Sequence, residues 1–324
     1  MRYLILSDIH ANYEAFAAVM NSTRRKRWDK AICLGDIVGY AAEVNQTVDR
    51  LRSIKPLITI RGNHDKVCSG VEGDERLAKF SRFARIAAEW TARKLTRTNR
   101  NYLSRLPEGP LMVDDAFAIA HGSPLDEDAY IFSDLDALRV FRGTDFPICF
   151  IGHSHFPVVF SWDGSEVEMT MATPPEFRLK LDPNKRYLIN PGSVGQPRDR
   201  CPLSSFATYN SETRLLRIHR VRYDISKTQN NILSAGLPAP LAERLSVGRY
   251  GGLRWRSPLD DSRAFEKAAR GGDGQAGDVR RRTGYRFDEG RASAFNVIGA
   301  GLVEGLTGAD VAGDLVFIDA AETN

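Results

Sequence analysis

The chain has 324 residues, of which 42% are hydrophobic and 27% charged, the proportions of an ordinary globular protein. Its net charge of +4 is too small to indicate a surface for nucleic acid or membrane. The length predicts one large domain with an appendage, or two domains.

The opening sequence MRYLILSDIHANYEA has only a short apolar run, which Asp8 and His10 interrupt, so it does not resemble a signal peptide. No stretch approaches the roughly 18 apolar residues that a membrane span needs. We therefore expect a cytoplasmic protein without membrane contact. The chain has four cysteines, which lie far apart and form no CxxC pair, so we expect no disulfide: Cys33, Cys68, Cys149 and Cys201.

The first part of the chain alternates predicted strands and helices. A buried strand over residues 2–7 precedes a helix over 11–27, and a strand over 31–34 precedes a helix over 43–53. A further strand covers residues 57–60. This order predicts a mostly parallel sheet covered by helices, and therefore an α/β fold.

The middle of the chain has a different pattern. Residues 74–95 predict one long helix, and residues 101–106 predict a further helical turn before Pro107. Strands predominate from residue 111 to residue 221, and two helices follow over 226–233 and 240–245.

Polar residues follow five of the apolar runs at the point where each run ends. They are Asp8 and His10, Asp36, Asn63 and His64, His121, and His153 and His155. Five of the chain's six histidines are in this set. Because ligands of an open α/β sheet gather at the carboxyl ends of its strands, we expect these side chains to converge.

Mixed Asp, Asn and His ligands suit transition metals such as Mn²⁺, Fe, Ni²⁺ or Zn²⁺ better than Ca²⁺ or Mg²⁺. A carboxylate that bridges two such ions can hold a water between them for attack on a phosphate ester. Asp36 is the central candidate for that bridge. The pattern therefore predicts a hydrolytic centre with two divalent transition-metal ions.

The ordered series Asp8-Ile9-His10, Gly35-Asp36, Gly62-Asn63-His64-Asp65, His121-Gly122 and Gly152-His153-Ser154-His155 resembles the calcineurin-like metallophosphoesterase superfamily. The segments GDIVGY, HGSP, NPGSVGQPRD and AGLPAPLAERL are similar to its bacterial phosphodiesterase-type branch. The resemblance covers about residues 1–248. It implies a four-layered α/β sandwich, here with a small C-terminal extension.

The resemblance also implies a role for each residue. Asp8, His10 and His155 would hold one metal. Asn63, His121 and His153 would hold the other, and Asp36 would bridge them. His64 would not be a ligand; it would face the leaving-group oxygen as general acid or transition-state stabiliser.

Three nearby residues each have two interpretations. Asp65 either fixes the tautomer of His64 or caps the loop. Arg198 either contacts a substrate phosphate or is a surface arginine of a structural loop. Asn12 either orients a substrate oxygen or caps the helix that follows it, and we favour the cap.

The implied activity is hydrolysis of phosphoesters, with phosphodiesters as the favoured substrates. A phosphomonoesterase or a nucleotide pyrophosphohydrolase is the alternative, because the same bimetal chemistry serves all three. A regulatory module that binds metal or nucleotide is an alternative of another class. We expect a small phosphoester or nucleotide as the partner, no nucleic acid, and leave oligomerisation open.

The composition changes near Gly248, where we place a domain boundary. Residues 249–280 resemble a linker because they include the glycine-rich run GGDGQAG. Residues 281–324 form a small C-terminal segment, which we interpret as a minor subdomain behind a basic linker. Arg282, Arg286 and the run Asn296 to Gly301 have a faint similarity to PilZ-type cyclic-di-GMP-binding domains, but Ile298 replaces the serine of that pattern.

Overall fold

The computed structural model describes residues 1–25, 27–174 and 176–248, without the side chain of Asp74. The expected linker over 249–280 and the C-terminal segment over 281–324, with both of its interpretations, lie outside the described residues. The predicted domain boundary near Gly248 therefore stays a prediction.

The described residues form twelve strands and nine helices. The strands are β1 (Arg2–Leu6), β2 (Lys30–Cys33), β3 (Leu57–Thr59), β4 (Leu111–Val113), β5 (Phe117–Ile119), β6 (Ile148–Phe150), β7 (Pro157–Trp162), β8 (Val167–Met171), β9 (Glu176–Lys180), β10 (Arg186–Pro191), β11 (Ser204–Asn210) and β12 (Leu215–Val221). The helices are α1 (Tyr13–Thr23), α2 (Val44–Arg52), α3 (Asn63–Ser69), α4 (Asp74–Ala78), α5 (Arg82–Lys94), α6 (Arg97–Leu103), α7 (Asp134–Gly143), α8 (Ile225–Ser234) and α9 (Ala239–Val247).

The strands form two six-stranded sheets, with orders β3-β2-β1-β11-β12-β9 and β4-β5-β6-β10-β7-β8. Parallel pairing joins β1, β2 and β3 in the first sheet and β5, β6 and β10 in the second. The other pairs are antiparallel. The prediction of a mostly parallel sheet is therefore wrong, because hairpin-connected strands complete both sheets.

The two sheets stack face to face, with helices on both outer sides. Strand β1 shows how the sequence specifies these layers, because neighbouring side chains of a strand point to opposite faces. Leu4 and Leu6 pack with the helices α1, α2, α5, α6, α8 and α9, whereas Tyr3 and Ile5 pack between the sheets. A third cluster joins α7 to the outer face of the second sheet. This arrangement is the four-layered α/β sandwich that the sequence predicted.

The structure corrects the predicted elements in four places, one of which is helix α3, where the sequence predicted no element. The helix predicted over 74–95 is two helices, α4 and α5, because Ser81 starts a new helix by accepting a hydrogen bond from the Ala84 N–H at 3.4 Å. Helix α7 interrupts the region predicted as strands, and β9 was not predicted. The N-terminal motif of α7, Ser133 with Asp136 three residues later, forms a capping box that the sequence contains.

Three of the four cysteines are buried and all four are free thiols, as predicted. Within the described ranges, the structure contains no helix with the length and apolar character that a membrane crossing requires.

Candidate metal centre

The candidate ligands lie together at the carboxyl ends of five strands. Asp8 and His10 follow β1, Asp36 follows β2, Asn63 opens α3 just after β3, His121 follows β5, and His153 and His155 follow β6. All seven side chains are buried. Ligand atoms of Asp8, His10, Asp36 and His155 lie within 4.8 Å of one another, as do those of Asp36, His121 and His153. The Asn63 Oδ1 lies 3.1 Å from the His121 Nε2, so Asn63 belongs to the second group.

Main-chain carbonyls fix the four histidine rings. Three rings donate from Nδ1, in the pairs His10 with Val38 O at 3.1 Å, His121 with Leu34 O at 2.8 Å, and His155 with Gln196 O at 2.6 Å. His153 donates from Nε2 to the Asp128 carbonyl at 3.1 Å. These hydrogen bonds assign the tautomers, and they leave the lone pair of the other ring nitrogen to coordinate a cation.

The arrangement of acceptor atoms in this centre is suited to binding cations. The Nε2 atoms of His10 and His155 face each other at 3.1 Å, although both are acceptors in the assigned tautomers. The buried Asp8 Oδ1 has no hydrogen-bond partner in the described part of the chain. Converging acceptors and an unpaired buried carboxylate oxygen cost free energy unless a positive charge lies among them. This donor set of imidazoles, carboxylates and an amide is one that transition metals accept.

Asp36 is shared by the two groups of ligands. Its Oδ1 accepts a hydrogen bond from the His64 N–H at 2.8 Å. Its Oδ2 lies 3.6 Å from the Nε2 of His10 and 3.5 Å from the Nε2 of His121. One carboxylate oxygen therefore faces both groups.

The electrostatics of the centre keep its carboxylates ionised. Burial raises the pKa of Asp8, but the adjacent His155, together with His121, more than offsets this effect and the pKa falls to about 2. Burial likewise opposes ionisation of Asp36, but His121 and His64 hold its pKa well below the ordinary value. The centre therefore presents two buried negative charges to a cation.

Burial opposes protonation of three of the four histidines among the candidate ligands. Burial lowers the pKa of His10 and His153 well below the ordinary value, and it also lowers that of His155. His121 differs, because the Asp36 charge outweighs its burial and raises its pKa to about 10. The charge that attracts a proton to His121 is the same charge that would attract a metal ion there.

Backbone strain is concentrated at the ligand positions. Five of the seven candidate ligands have a positive φ, between 51° and 64°: Asp8, His10, Asp36, His153 and His155. Non-glycine residues in this left-handed region cost about 1–3 kcal/mol each and persist where the surrounding structure requires them. Here main-chain hydrogen bonds impose the conformation; for example, the N–H of His10 donates to the Asp36 carbonyl at 2.9 Å.

His64 lies beside the ligands. Its ring packs against Tyr40 at 4.5 Å, Phe80 at 4.7 Å and His10 at 5.0 Å between centroids. Its buried Nδ1 has no hydrogen-bond partner among the described residues, and a Cβ on Gly39 would lie 2.4 Å from that atom. Gly39, with φ +93°, therefore leaves room for the ring. Burial, with the nearby Arg198 charge, lowers the pKa of His64 to about 4.

Asp65 caps the loop and does not contact the His64 ring through a hydrogen bond. Its Oδ1 accepts from the N–H groups of Ile37 at 3.0 Å and Val38 at 3.2 Å, and its Oδ2 accepts from Gly62 at 3.0 Å. These three donors correct the assignment of Asp65 as a catalytic partner of His64. Burial and the neighbouring Asp36 raise its pKa to about 7.

Asn12 caps α1, as favoured from the sequence. Its Oδ1 accepts from the Ala15 N–H at 3.1 Å and the Thr228 hydroxyl at 3.0 Å, while its Nδ2 donates to the Gly195 carbonyl at 2.8 Å. The side chain is fully buried, so the structure offers no group of Asn12 to a substrate.

Arg198 is buried beside the centre, and the interpretation as a surface arginine is wrong. It is 6% exposed, and its Nη2 donates to the Gln196 Oε1 at 3.0 Å and to the Tyr40 hydroxyl at 3.4 Å. Its guanidinium lies 5.9 Å from the centroid of the Tyr40 ring, and that of Arg244 lies 5.5 Å from the same centroid. Two positive charges therefore flank Tyr40, which in turn contacts His64.

Sequence reasoning did not assign roles to Tyr40 and Arg244, although both lie in motifs that it identified, GDIVGY and AGLPAPLAERL. It also missed a second group of possible ligands, Glu72, Glu127 and Asp128. Lys66 donates to all three carboxylates, at 3.0, 2.9 and 2.7 Å respectively. This acidic cluster is therefore an ion-pair network.

The four-layered fold and the ligands at its strand ends define a metallophosphoesterase-type protein. The model of the calcineurin-like phosphoesterase superfamily domain matches residues 1–214. The chain is 37% identical over 252 residues to an uncharacterised protein of Methanocaldococcus jannaschii, an alignment that covers 76% of this chain and 97% of that protein.

Solved structures agree. A metallophosphoesterase from Sphaerobacter thermophilus is 37% identical, covers 76% of this chain and 99% of its own, and superposes with a TM-score of 0.67. A hypothetical protein from Pyrococcus horikoshii, 21% identical, shares the fold with a TM-score of 0.60 over 76% of this chain and 98% of its own. The chain belongs to the calcineurin-like phosphoesterase superfamily.

Proposed function

We propose that this protein hydrolyses phosphodiesters with the help of two divalent transition-metal ions. The observation that carries the proposal is the shared Asp36 Oδ2, which faces the Nε2 of His10 and the Nε2 of His121 at nearly equal distances. The preference for diesters rests on the similarity of GDIVGY, HGSP and NPGSVGQPRD to the phosphodiesterase-type branch.

The residues divide into two ligand sets. Asp8, His10 and His155 would hold one ion, and Asn63, His121 and His153 would hold the other, with Asp36 common to both. When bound, two such ions supply positive charge that acidifies a water and offsets the charge of the phosphate. Mn²⁺, Fe²⁺, Ni²⁺ and Zn²⁺ all suit these ligands.

The other residues act on the substrate. Arg198 and Arg244 add positive charge on the Tyr40 side of the centre, where Arg198 can donate to a phosphate oxygen through its guanidinium. His64, held between Tyr40 and Phe80, donates a proton or a hydrogen bond to the leaving-group oxygen. Asp65 and Asn12 hold the loops on which these groups lie.

A panel of metals and substrates tests the proposal. Metal-free protein is loaded with Mn²⁺, Fe²⁺, Ni²⁺, Zn²⁺ or Mg²⁺, and its metal content is measured by elemental analysis. Each form is then assayed with a generic diester, with the matching monoester and with a nucleotide pyrophosphate. We expect two ions per chain and faster turnover of the diester.

The outcomes separate the alternatives. One ion per chain at saturating Mn²⁺ would contradict the two-ion centre. Faster turnover of the monoester, or of a nucleotide pyrophosphate, would replace the diester proposal with the alternative enzymes. Two bound ions without any turnover would favour the regulatory binding module.

A further inference from the structure

The two sides of the sandwich differ in how the core between the sheets is closed. On one side, the chain passes from β8 of the second sheet to β9 of the first, and Ala172 and Leu181, which follow these two strands, are buried in that core. On the other side, the outermost strands are β3 and β4. Ile58 and Leu111 pack against the same core there but are only half-buried. Among the described residues, the core is therefore incompletely covered beside β3 and β4.

A groove of about 740 Å³ lies along this side of the molecule, and we call it the edge groove. Ile58 and Leu111 line it from the core between the sheets. Tyr102 and Leu106 line it from the core beneath the helices of the first sheet. A strand that fills the edge groove needs apolar side chains on both of its faces, because each face meets one of the two cores.

The main chain of β3 presents hydrogen-bonding groups to the edge groove. β3 pairs with β2 on one side, and none of the described strands pairs with its other side. The Ile60 N–H donates towards β2, whereas the next N–H, that of Arg61, donates the opposite way at 2.9 Å, to the carbonyl of Pro107 in the groove lining. Since main-chain groups alternate along a strand, those of Leu57 and Thr59 point to the same side as that of Arg61. An added strand can pair with them.

The C-terminal part of the sequence contains a segment with the properties that the edge groove requires. Residues 315–318 are Leu-Val-Phe-Ile, and we call them the terminal run. Their β-branched and aromatic members favour a strand. In a strand, Leu315 and Phe317 would lie on one face and Val316 and Ile318 on the other, so both faces would be apolar.

Charge also favours this segment. Two basic residues and one acidic residue line the edge groove: Arg52, Lys55 and Asp49. Asp314 and Asp319 flank the terminal run, and residues 292–324 contain five Asp or Glu but no Lys or Arg. The acidic segment is therefore complementary to the excess of positive charge at the groove.

The intervening chain is long enough for the terminal run to reach the edge groove. Residues 249–313 can span up to about 200 Å when extended. A domain of the size of residues 1–248 has a radius of gyration of about 18 Å. The length of the chain beyond Gly248 therefore places no part of the surface out of reach.

We propose that the terminal run lies in the edge groove of its own chain, as an added strand beside β3. One face of the run would cover Ile58 and Leu111, and the other would cover Tyr102 and Leu106. The run would thus extend the first sheet and close the core between the sheets on its open side. This inference uses no metal ligand and no substrate contact, so it stands or fails independently of the proposed function.

Photo-cross-linking of the full-length protein tests where the terminal run lies. p-Benzoylphenylalanine replaces Phe317, and mass spectrometry locates the peptides to which it attaches. We expect attachment within residues 54–59 and 102–111. The same label at Leu306, which precedes the run, is the control and should not favour these residues. Attachment of the label at position 317 to other residues, or to none, overturns the proposal.

The mass of the cross-linked product identifies the chain that supplies the run. A product with the mass of one chain supports the proposal. A product with the mass of two chains would assign the edge groove to the terminal run of a second copy, and would overturn the contact within one chain.

Amide hydrogen exchange tests the pairing with β3. In the wild-type protein, we expect slow exchange of the Leu57 and Thr59 N–H groups. Phe317→Asp places a charge on an apolar face of the run and should accelerate both exchanges at least about tenfold. Leu306→Asp adds the same charge outside the run and should leave them unchanged, and circular dichroism checks that both variants fold. Fast exchange in the wild-type protein, or unchanged exchange in Phe317→Asp, overturns the pairing.

Discussion

The described part of the chain contains two clusters of possible metal ligands, and they differ in what surrounds them. In the metal centre, the ligand atoms of His10 and His155 face each other, and the histidine N–H groups are occupied by carbonyls. In the acidic cluster of Glu72, Glu127 and Asp128, Lys66 lies among the carboxylates. Closely spaced ligand atoms are therefore not sufficient to identify a metal site. In the acidic cluster, the ammonium group of Lys66 already supplies the positive charge that the carboxylates require.

The largest difference between the clusters should appear when a carboxylate is neutralised. Asp36→Asn removes the negative charge that faces both ligand sets, so we expect at least one ion lost per chain and turnover reduced by about 10³-fold or more. Elemental analysis and steady-state kinetics measure both effects.

Glu72→Gln is the matched change in the acidic cluster, and it should alter neither metal content nor turnover. If Asp36→Asn kept both ions and near-normal turnover, Asp36 would not be the shared ligand.

Substitution of His64 should lower turnover without releasing metal, although His64 lies beside the candidate ligands. His64→Ala should lower turnover by about 10²- to 10⁴-fold, the contribution of a positioned acid–base group, while both ions stay bound. The loss should be smaller for nitrophenyl esters than for alkyl esters, because nitrophenolate leaves without a proton. Equal losses for both kinds of ester would indicate an electrostatic role, and loss of metal would make His64 a ligand.

Replacing Lys66 by a neutral residue should destabilise the folded protein, because the carboxylates of the acidic cluster would then repel one another. Lys66→Met leaves three carboxylates close together, and Lys66 itself is almost fully buried. Since the carboxylates are partly exposed, we expect the free energy of unfolding to fall by about 2 kcal/mol, below the range for fully buried pairs. Urea unfolding at neutral pH provides the measurement.

Lys185→Met is the control for that experiment, because Lys185 pairs with Glu168 at 3.6 Å on the surface. It should change stability by less than about 1 kcal/mol. Equal losses in the two variants would mean that the acidic cluster does not depend on Lys66.

The last prediction concerns Glu43, a carboxylate outside both clusters, whose effect on stability depends on pH. Burial, and to a lesser extent Glu14, raises its pKa to about 7, against hydrogen bonding by Asn231 and attraction by Lys227. A raised pKa favours the protonated carboxyl in the folded state. The stability from this group is therefore present below about pH 4.5 and is lost as the pH rises towards 7.

Glu43→Gln cannot ionise, so its stability relative to the wild type should increase with pH between these values, by up to about 3 kcal/mol. Thermal or urea unfolding at pH 4.5, 6 and 8 gives the difference. A difference that stays constant with pH would show that Glu43 ionises freely in the folded protein.

The four layers followed from the resemblance to the metallophosphoesterase superfamily, whereas the candidate ligands were found from local pattern. The alternation in β1 assigns Tyr3 and Leu4 to opposite cores, and each ligand follows an apolar run. The antiparallel pairing of strands within the sheets was harder to predict. Such pairs can join strands that are far apart in the sequence, as β1 and β11 are. Helix α7 was missed although Ser133 and Asp136 gave its capping box.

The environment of the candidate site was less predictable than its ligands. The burial of Arg198 depends on contacts with Gln196 and Tyr40, and the latter lies 158 residues away in the chain. The proximity of Tyr130 to His153 likewise follows from how a loop after β5 lies against the end of β6. Residue type and spacing can therefore identify candidate ligands, whereas the side chains that contact them from distant parts of the chain can be identified only from the structure.

The carbonyls that orient the four histidines have a consequence for how the protein can evolve. Leu34, Val38, Asp128 and Gln196 contribute only main-chain oxygen to those rings. The chemical identity of their side chains does not itself decide which ring nitrogen is free, although those side chains hold the backbone in place. A single inserted or deleted residue in any of these loops would shift the carbonyl and turn the ring. Changes of loop length at these positions should therefore disturb the histidine rings more directly than side-chain exchanges that preserve the surrounding packing.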